Sequence, residues 1–198
     1  MTDRHSSERD KRRPPDGGIE LDQKEVFTNG LVQVYTGAGK GKTTAALGLA
    51  CRAAGQGLSV LIVQFMKGVA YGELSALRKL ENITIVQFGE PHWVHPSEIR
   101  QEDKDQARRG LDYAERAVFG GEYQLVVLDE VNVALSYKLL PVESVVDLIR
   151  RKPANVELVL TGRGAPKQVL ELADLVTKMV EVKHPYHKGV LARRGIEY

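Results

Sequence analysis

The chain has 198 residues, of which 42% are hydrophobic and 27% are charged. This length predicts a single domain, and this hydrophobic fraction is enough for a complete buried core. A formal net charge of only +2 excludes the strong overall field of a nucleic-acid or membrane binder, and no apolar run reaches transmembrane length. We therefore expect neither nucleic acid nor a membrane among the partners.

The cellular location and the N-terminal region can also be assessed from composition. Cys51 is the only cysteine and cannot form an internal disulfide, which favours a reducing cytoplasm. The N-terminus is charged and lacks the apolar core of a signal peptide. Residues 1–25 lack the apolar density needed to fold alone. We expect a flexible segment there, able to fold over a ligand or partner, followed by one domain over residues 26–198.

From residue 26 onward, predicted strands and helices alternate. The strands cover residues 32–35, 58–65, 83–88, 124–128, 156–160 and 175–182. The helices cover residues 42–54, 73–80, 97–119, a stretch from 141, and 166–173, with Ser97 as the predicted N-cap of the third. This alternation predicts an α/β fold of three layers, in which helices flank a mostly parallel sheet of about six strands. Ligands of such sheets bind beyond the carboxyl ends of the strands.

A glycine-rich segment joins the first predicted strand to the first helix. It runs Thr36, Gly37, Ala38, Gly39, Lys40, Gly41, Lys42, Thr43, Thr44. In such a loop the backbone N–H groups and the lysine hold phosphates, the threonine hydroxyl can bind magnesium, and the helix dipole adds positive potential. The segment predicts a P-loop NTPase-like fold that binds a nucleoside triphosphate, although a glycine-rich turn without a ligand is the alternative. Thr36 stands where the strict motif has glycine.

Asp129 and Glu130 end the apolar fourth strand. Beside a phosphate loop, such carboxylates predict a magnesium site together with Thr43, although acidic residues of an ordinary turn would give the same pattern. Which carboxylate contacts the metal directly stays open. Lys40 in the loop and Arg52 in the first helix could also neutralise a triphosphate, but Arg52 could equally face solvent.

The segment after the third strand contains Trp93, the only tryptophan, between Pro91 and Pro96. Its indole could stack on a flat ligand, or it could pin the loop to the core. His92 and His95 lie three residues apart without a third metal ligand nearby, so they predict no metal site.

With these motifs in place, the chain resembles the ATP-dependent corrinoid adenosyltransferases, also called cob(I)alamin adenosyltransferases, of the P-loop type. The matching stretches are 36–46 (TGAGKGKTTAA), 63–68 (VQFMKG), 72–73 (GE), 128–130 (LDE), 161–164 (TGRG), 171–174 (ELAD) and the tail 183–198, which runs from KHP to GIEY. These enzymes also have threonine at the first position of the loop.

The resemblance implies that Co(I) of a reduced corrinoid attacks the 5′ carbon of ATP and that triphosphate leaves. It assigns Lys42, the loop N–H groups and Mg²⁺ to the leaving group. Thr43 with Asp129 or Glu130 would hold the metal, and Arg52 matches a position near the phosphates. Trp93 matches a tryptophan that helps displace the lower axial ligand of the corrinoid.

Two residues differ from the pattern of that family. Pro91 stands where phenylalanine is usual, which affects how the corrinoid is seated. Ala38 stands where a polar residue is common, which affects contacts to the nucleoside.

The resemblance also implies a homodimer, an N-terminal segment (residues 1–25) that covers the active site, and a flavoprotein electron donor. Two alternatives are a generic P-loop ATPase or small-molecule kinase, and a non-catalytic carrier of a corrinoid or nucleotide. The first requires only the glycine loop and the carboxylates of Asp129 and Glu130, and the second would bind its ligand without turnover.

Overall fold

The computed structural model of the chain describes residues 27–68 and 72–197. The predicted N-terminal segment, residues 1–25, lies outside the described residues. The strands are β1 (Val32–Thr36), β2 (Val60–Phe65), β3 (Ile83–Phe88), β4 (Leu125–Asp129), β5 (Glu157–Thr161) and β6 (Leu175–Lys178). The helices are α1 (Lys42–Gly55), α2 (Gly72–Leu77), α3 (Gln101–Gly120), α4 (Val131–Ser136), α5 (Val142–Arg151) and α6 (Lys167–Leu172).

All six strands form one parallel sheet in the order β3-β2-β4-β5-β1-β6. The predicted three-layer α/β fold is confirmed, and within the described residues the sheet is wholly parallel. Strands β2 and β4 are buried along their whole length, whereas β6 is an exposed edge strand. Because parallel strands point the same way, the segments that follow β1, β2, β4 and β5 meet at one edge of the sheet.

The two faces of the sheet carry separate apolar cores. One core packs α3, α4, α5 and α6 against the sheet, and the other packs α1 and α2 against the opposite face. Valine, leucine and isoleucine dominate both cores, as expected for strands covered on both faces. No helix in the described part of the chain is long and apolar enough to cross a membrane.

The start of α3 differs from the sequence prediction. The helix begins at Gln101, and the predicted N-cap Ser97 instead places its hydroxyl 2.7 Å from Nδ1 of His95. The cap is formed three residues later, where the backbone N–H of Arg100 donates to the Asp103 carboxylate at 2.9 Å. A carboxylate three residues into a helix can satisfy this otherwise unpaired N–H, and it fixes the start of the helix there.

Three further elements were not predicted correctly. Helix α4, with six residues, directly follows Glu130, and a 3₁₀ turn covers Pro185–Lys188. Both are too short to show a helical period in the sequence. Strand β6 ends at Lys178 instead of residue 182, because the next residues turn against the glycine loop that follows β1.

Two glycines inside helices should respond in opposite ways to alanine. A methyl group on Gly110 of α3 would lie 2.9 Å from Cε1 of the fully buried Phe65, whereas one on Gly48 of α1 would meet nothing within 4 Å. We expect Gly110→Ala to lower the free energy of unfolding by about 1–3 kcal/mol through overpacking. Gly48→Ala, the matched control, should raise it by up to about 1 kcal/mol through helix propensity. Urea unfolding of both variants measures the difference, and equal effects would contradict the close packing of α3 on the sheet.

Candidate active site

The phosphate loop, residues 36–44, connects β1 to α1 at the carboxyl edge of the sheet. Gly37 and Gly41 have φ values of 98° and 116°, which side chains other than glycine rarely adopt. Gly39 has no room for a side chain, since a Cβ atom would lie 2.8 Å from the backbone of Val180. Its N–H donates to the carbonyl of Met179 at 2.8 Å. The loop is therefore held open by glycine and supported by the segment after β6.

Lys42 is the first residue of α1, and its side chain returns into the loop. Its Nζ donates to the carbonyls of Gly37 at 2.9 Å and Gly39 at 2.7 Å. Burial lowers the pKa of Lys42; the charge of Glu130 opposes this shift, and that of Arg163 adds to it. The arrangement places a largely enclosed cation among backbone N–H groups at the start of a helix, which is a site for anions.

The carboxylate of Asp129, at the end of β4, is fully buried. Its Oδ1 accepts hydrogen bonds from the hydroxyls of Thr43 at 2.8 Å and Thr161 at 2.7 Å. Its Oδ2 accepts from Nζ of Lys67 at 2.8 Å and from the Gln64 amide at 3.1 Å. Four donors from different parts of the chain thus converge on one carboxylate, and they join the phosphate loop to the strand ends.

Glu130 follows directly in the left-handed region, with φ of 64°. Its backbone N–H donates to the Thr161 hydroxyl at 2.9 Å, which holds this unusual turn. The pKa of Glu130 is raised, first by burial and then by the adjacent charge of Asp129. Nearby cations, of which Lys67 has the largest effect, oppose this shift only in part. A carboxyl group with a raised pKa is thereby placed beside Lys42 and Asp129.

The predicted magnesium ligands lie close together. Thr43 and Asp129 are in direct contact, and Glu130 is close enough for its charge to act on Lys42. Hydroxyl and carboxylate oxygens suit Mg²⁺, which typically uses one or two carboxylates with substrate phosphates and water. The residues therefore fit such an ion in the presence of a triphosphate. Over residues 27–68 and 72–197, no group of three His, Cys, Asp or Glu side chains could hold a metal by itself.

Four polar residues of this network were given no role from the sequence, although residues 64–68 and 161–164 were expected at the ligand edge of the sheet. They are Gln64, Lys67, Gln87 and Thr161. Gln64 is paired in register with Asp129 on one side and with Gln87 on the other, which explains the row of contacts. A signal was present in the sequence, because Gln64 is a polar residue inside the otherwise apolar run of β2. Burial alone would lower the pKa of Lys67, but the charge and hydrogen bond of Asp129 raise it.

The two further cations predicted near the phosphates, Arg52 and Lys40, lie in different surroundings. Arg52 lies exposed in the last turn of α1, ten residues and therefore about 15 Å along the helix from Lys42. This position agrees with the alternative in which Arg52 faces solvent. Arg163, after β5, is instead close enough to affect the pKa values of Lys42 and Glu130. Lys40 donates to the Glu197 carboxylate at 2.8 Å, so the C-terminal residues lie against the loop.

The Trp93 loop, residues 89–100, follows β3 and leaves the indole 85% exposed. The alternative that Trp93 pins this loop to the core is wrong, because the buried Val94 does so. The loop begins against the segment after β2, where a Cβ atom on Gly68 would overlap the backbone of Glu90. The exposed aromatic face and the Asp129 network therefore share one region of the sheet edge.

Comparison with known proteins identifies the family. The model of the ATP:corrinoid adenosyltransferase family BtuR/CobO/CobP matches residues 28–198. The chain belongs to this family. The resemblance inferred from the motifs is thereby confirmed over most of the chain.

Individual relatives of this adenosyltransferase-family chain agree with the assignment. It is 37% identical over 180 residues to a corrinoid adenosyltransferase of Escherichia coli K12, with 85% of this chain and 86% of that protein covered. It is 37% identical over 171 residues to one of Pseudomonas aeruginosa, covering 85% and 84%. It is 39% identical over 182 residues to the uncharacterized protein all2391 of Nostoc, of whose length it spans only 48%.

A solved structure supports the fold alone. The cytoplasmic domain of the type VII secretion ATPase EccC of Thermomonospora curvata matches with a TM-score of 0.50 and 17% identity, covering 85% of this chain and 23% of that one. An ATPase domain thus shares the three-layer arrangement of this family member.

The raised pKa of Glu130 predicts a pH dependence of stability. The folded state holds this proton more tightly than the unfolded state, so stability falls as pH rises from the ordinary glutamate pKa of 4.5 through the raised folded pKa. Glu130→Gln keeps the shape but cannot ionise, so we expect it to gain stability over the parent protein as pH rises through this window and to lose the advantage below it. Glu143→Gln, in the first turn of α5, is the control. Thermal unfolding of nucleotide-free protein between pH 4 and 8 measures the effect, and an identical pH profile for parent and Glu130→Gln would contradict it.

Proposed function

We propose that this family member transfers the 5′-deoxyadenosyl group of ATP to the Co(I) ion of a reduced corrinoid, in the synthesis or salvage of adenosylcobalamin. Its family membership over residues 28–198 is the observation that carries the proposal. The geometry supports it, because a phosphate loop and an exposed aromatic side chain lie at the same edge of the sheet.

In the proposed reaction, the electron pair of Co(I) attacks the 5′ carbon of ATP. A cobalt–carbon bond forms, the bond from that carbon to the α-phosphate oxygen breaks, and its electrons leave with triphosphate. Negative charge therefore grows on the oxygen that departs. Donors fixed in advance around this charge stabilise the transition state. The ammonium of Lys42 and the backbone N–H groups of the phosphate loop, other than that of Gly39, which donates to Met179, are such donors, already held by the glycine turns.

We propose that Thr43, Asp129 and Glu130 hold Mg²⁺ with the triphosphate. When bound, the ion would offset the negative charge of the leaving group. Lys40 and Arg163 supply further positive charge around the loop. Arg163 takes the role that the resemblance gave to Arg52, because it lies near Lys42 whereas Arg52 lies at the other end of α1.

We propose that Trp93 contacts the corrinoid and helps to displace its lower axial ligand. This makes reduction to Co(I) easier, since the lower ligand stabilises the more oxidised cobalt. A side chain with 85% of its surface exposed offers a broad aromatic face to a flat macrocycle. With Pro91 in place of the usual aromatic residue, Trp93 provides that face without an aromatic neighbour at position 91.

We further propose a cytoplasmic homodimer that receives electrons from a flavoprotein, with residues 1–25 covering the active site. The homodimer is supported by the exposed apolar side chains of β6 and the segment after it. These are Leu175, Val176, Val180, Val182 and Leu191. An apolar edge strand is usually covered by another chain or segment.

The central role of Lys42 can be tested by product formation. We expect the protein, given ATP, magnesium and chemically reduced cobalamin, to form a light-sensitive cobalt–carbon product. Lys42→Ala should lower kcat by about 10²–10³-fold, as for the loss of one donor to a developing anion. Lys79→Ala, in the exposed turn that follows α2, should leave kcat unchanged. Failure of the parent protein to adenosylate reduced corrinoids would refute the proposed function.

The role of Trp93 can be tested by the oxidation state of the substrate. Trp93→Ala should lose more activity when the enzyme is supplied with Co(II) corrinoid and a reductant than with chemically formed Co(I). Only the first assay requires the lower ligand to leave. Trp93→Phe should retain part of the Co(II)-dependent activity, because it keeps an aromatic face. Equal losses in both assays would show that the indole does not assist reduction.

A further inference from the structure

Two side chains beside Trp93 face each other and have no part in the proposed chemistry. Nε2 of His92 lies 3.0 Å from Oδ1 of Asp103. Both atoms are closed to water, and neither has a hydrogen-bond partner among the described residues, so this close approach is the one polar contact of either atom there. Because a buried charge or polar atom without a partner is costly, each of these atoms depends on the other.

Asp103 is a rigid partner for this contact. It lies in the first turn of α3, and its side chain is only 1% exposed. Its second oxygen accepts the hydrogen bond from the Arg100 backbone that caps the helix. The carboxylate is thus fixed by a 20-residue helix before it contacts His92.

The orientation of the indole follows from its two neighbours. His92 is directed to Asp103, and Val94 is buried with 6% exposure. With both neighbours held against the body of the protein, Trp93 between them is turned outward. A third contact, from the Gln106 amide to the Glu90 carboxylate at 2.8 Å, holds the start of the loop to the same helix.

We propose that His92 is a positioning residue, which holds Trp93 in its outward orientation through Asp103 so that the indole is ready for the corrinoid. This inference rests on the proposed function, in which Trp93 contacts that substrate. A loop that adopts the binding orientation for only part of the time binds with an affinity reduced by that fraction. His92 would therefore affect the corrinoid step and leave the nucleotide step unchanged.

Steady-state kinetics test this separation. If the outward orientation falls to about a tenth of the population in His92→Ala, the KM for the corrinoid rises about tenfold. The KM for ATP should stay unchanged. His92→Gln should recover part of the loss, since its amide nitrogen can still donate to Asp103. The matched control is His95→Ala in the same loop, whose ring contacts Ser97 at the surface and whose loss should leave the corrinoid KM unchanged.

Fluorescence tests the anchor without any turnover. Trp93 is the only tryptophan of the chain, so its emission anisotropy reports directly on this loop. We expect His92→Ala to lower the anisotropy of the ligand-free protein and His95→Ala to leave it unchanged. If the parent protein failed to adenosylate corrinoids but the anisotropy still fell in His92→Ala, the proposed function would be wrong and the anchor would stand.

A double-mutant cycle shows whether His92 acts through the indole. In a Trp93→Ala background, His92→Ala should add no further increase in the corrinoid KM, because residues that act as one unit are not additive. A full tenfold increase in that background would overturn the proposal. So would an unchanged anisotropy together with an unchanged corrinoid KM in the single variant His92→Ala.

Discussion

The carboxylate of Asp129 sits at the end of a strand where no water reaches it, and a buried anion is tolerated only when donors surround it. Its donors come from α1, from the end of β5, from β2 and from the segment that follows β2. Removing any one of them would leave an imperfectly compensated charge in the interior. This requirement fixes the phosphate loop and the strand ends in one arrangement, and the rest of the site is built around it.

The same arrangement separates the two tasks of the proposed reaction. The phosphate loop encloses Lys42, and the Thr43 hydroxyl donates to Asp129. This loop is prepared for the departing triphosphate. The Trp93 loop is held on α3 and against the segment after β2, and it presents one aromatic face to solvent. Lys67 lies in the segment between these two regions. Its contact with Asp129 connects the Trp93 loop to the network that holds the phosphate loop. In the proposed reaction, the nucleotide is held by its triphosphate while the cobalt of a flat macrocycle attacks its 5′ carbon. Such a reaction requires one fixed surface for each substrate.

Much of this could be predicted from the sequence, because the strongest signals are local. About ten neighbouring residues are enough to recognise the glycine loop, each apolar strand, and the carboxylates at the end of β4. The start of α3 was predicted wrongly at Ser97, because the sequence does not show that Asp103 caps the N–H of Arg100. Arg52 was assigned to the phosphates by its position in the motif pattern. The length of α1 takes it away from them, since each residue adds about 1.5 Å to the helix. The contacts of Gln64, Lys67 and Thr161 with Asp129 depend on strand order and register, which the sequence does not specify.

The central claim is that the phosphate loop holds a leaving group instead of a phosphoryl donor. Phosphorus NMR of the products, after incubation with ATP, magnesium and chemically reduced cobalamin, tests this directly. The account predicts one intact triphosphate for each cobalt–carbon bond formed, with no ADP. ADP and phosphate as the products, in proportion to the ATP consumed, would contradict it and would favour an ordinary P-loop ATPase.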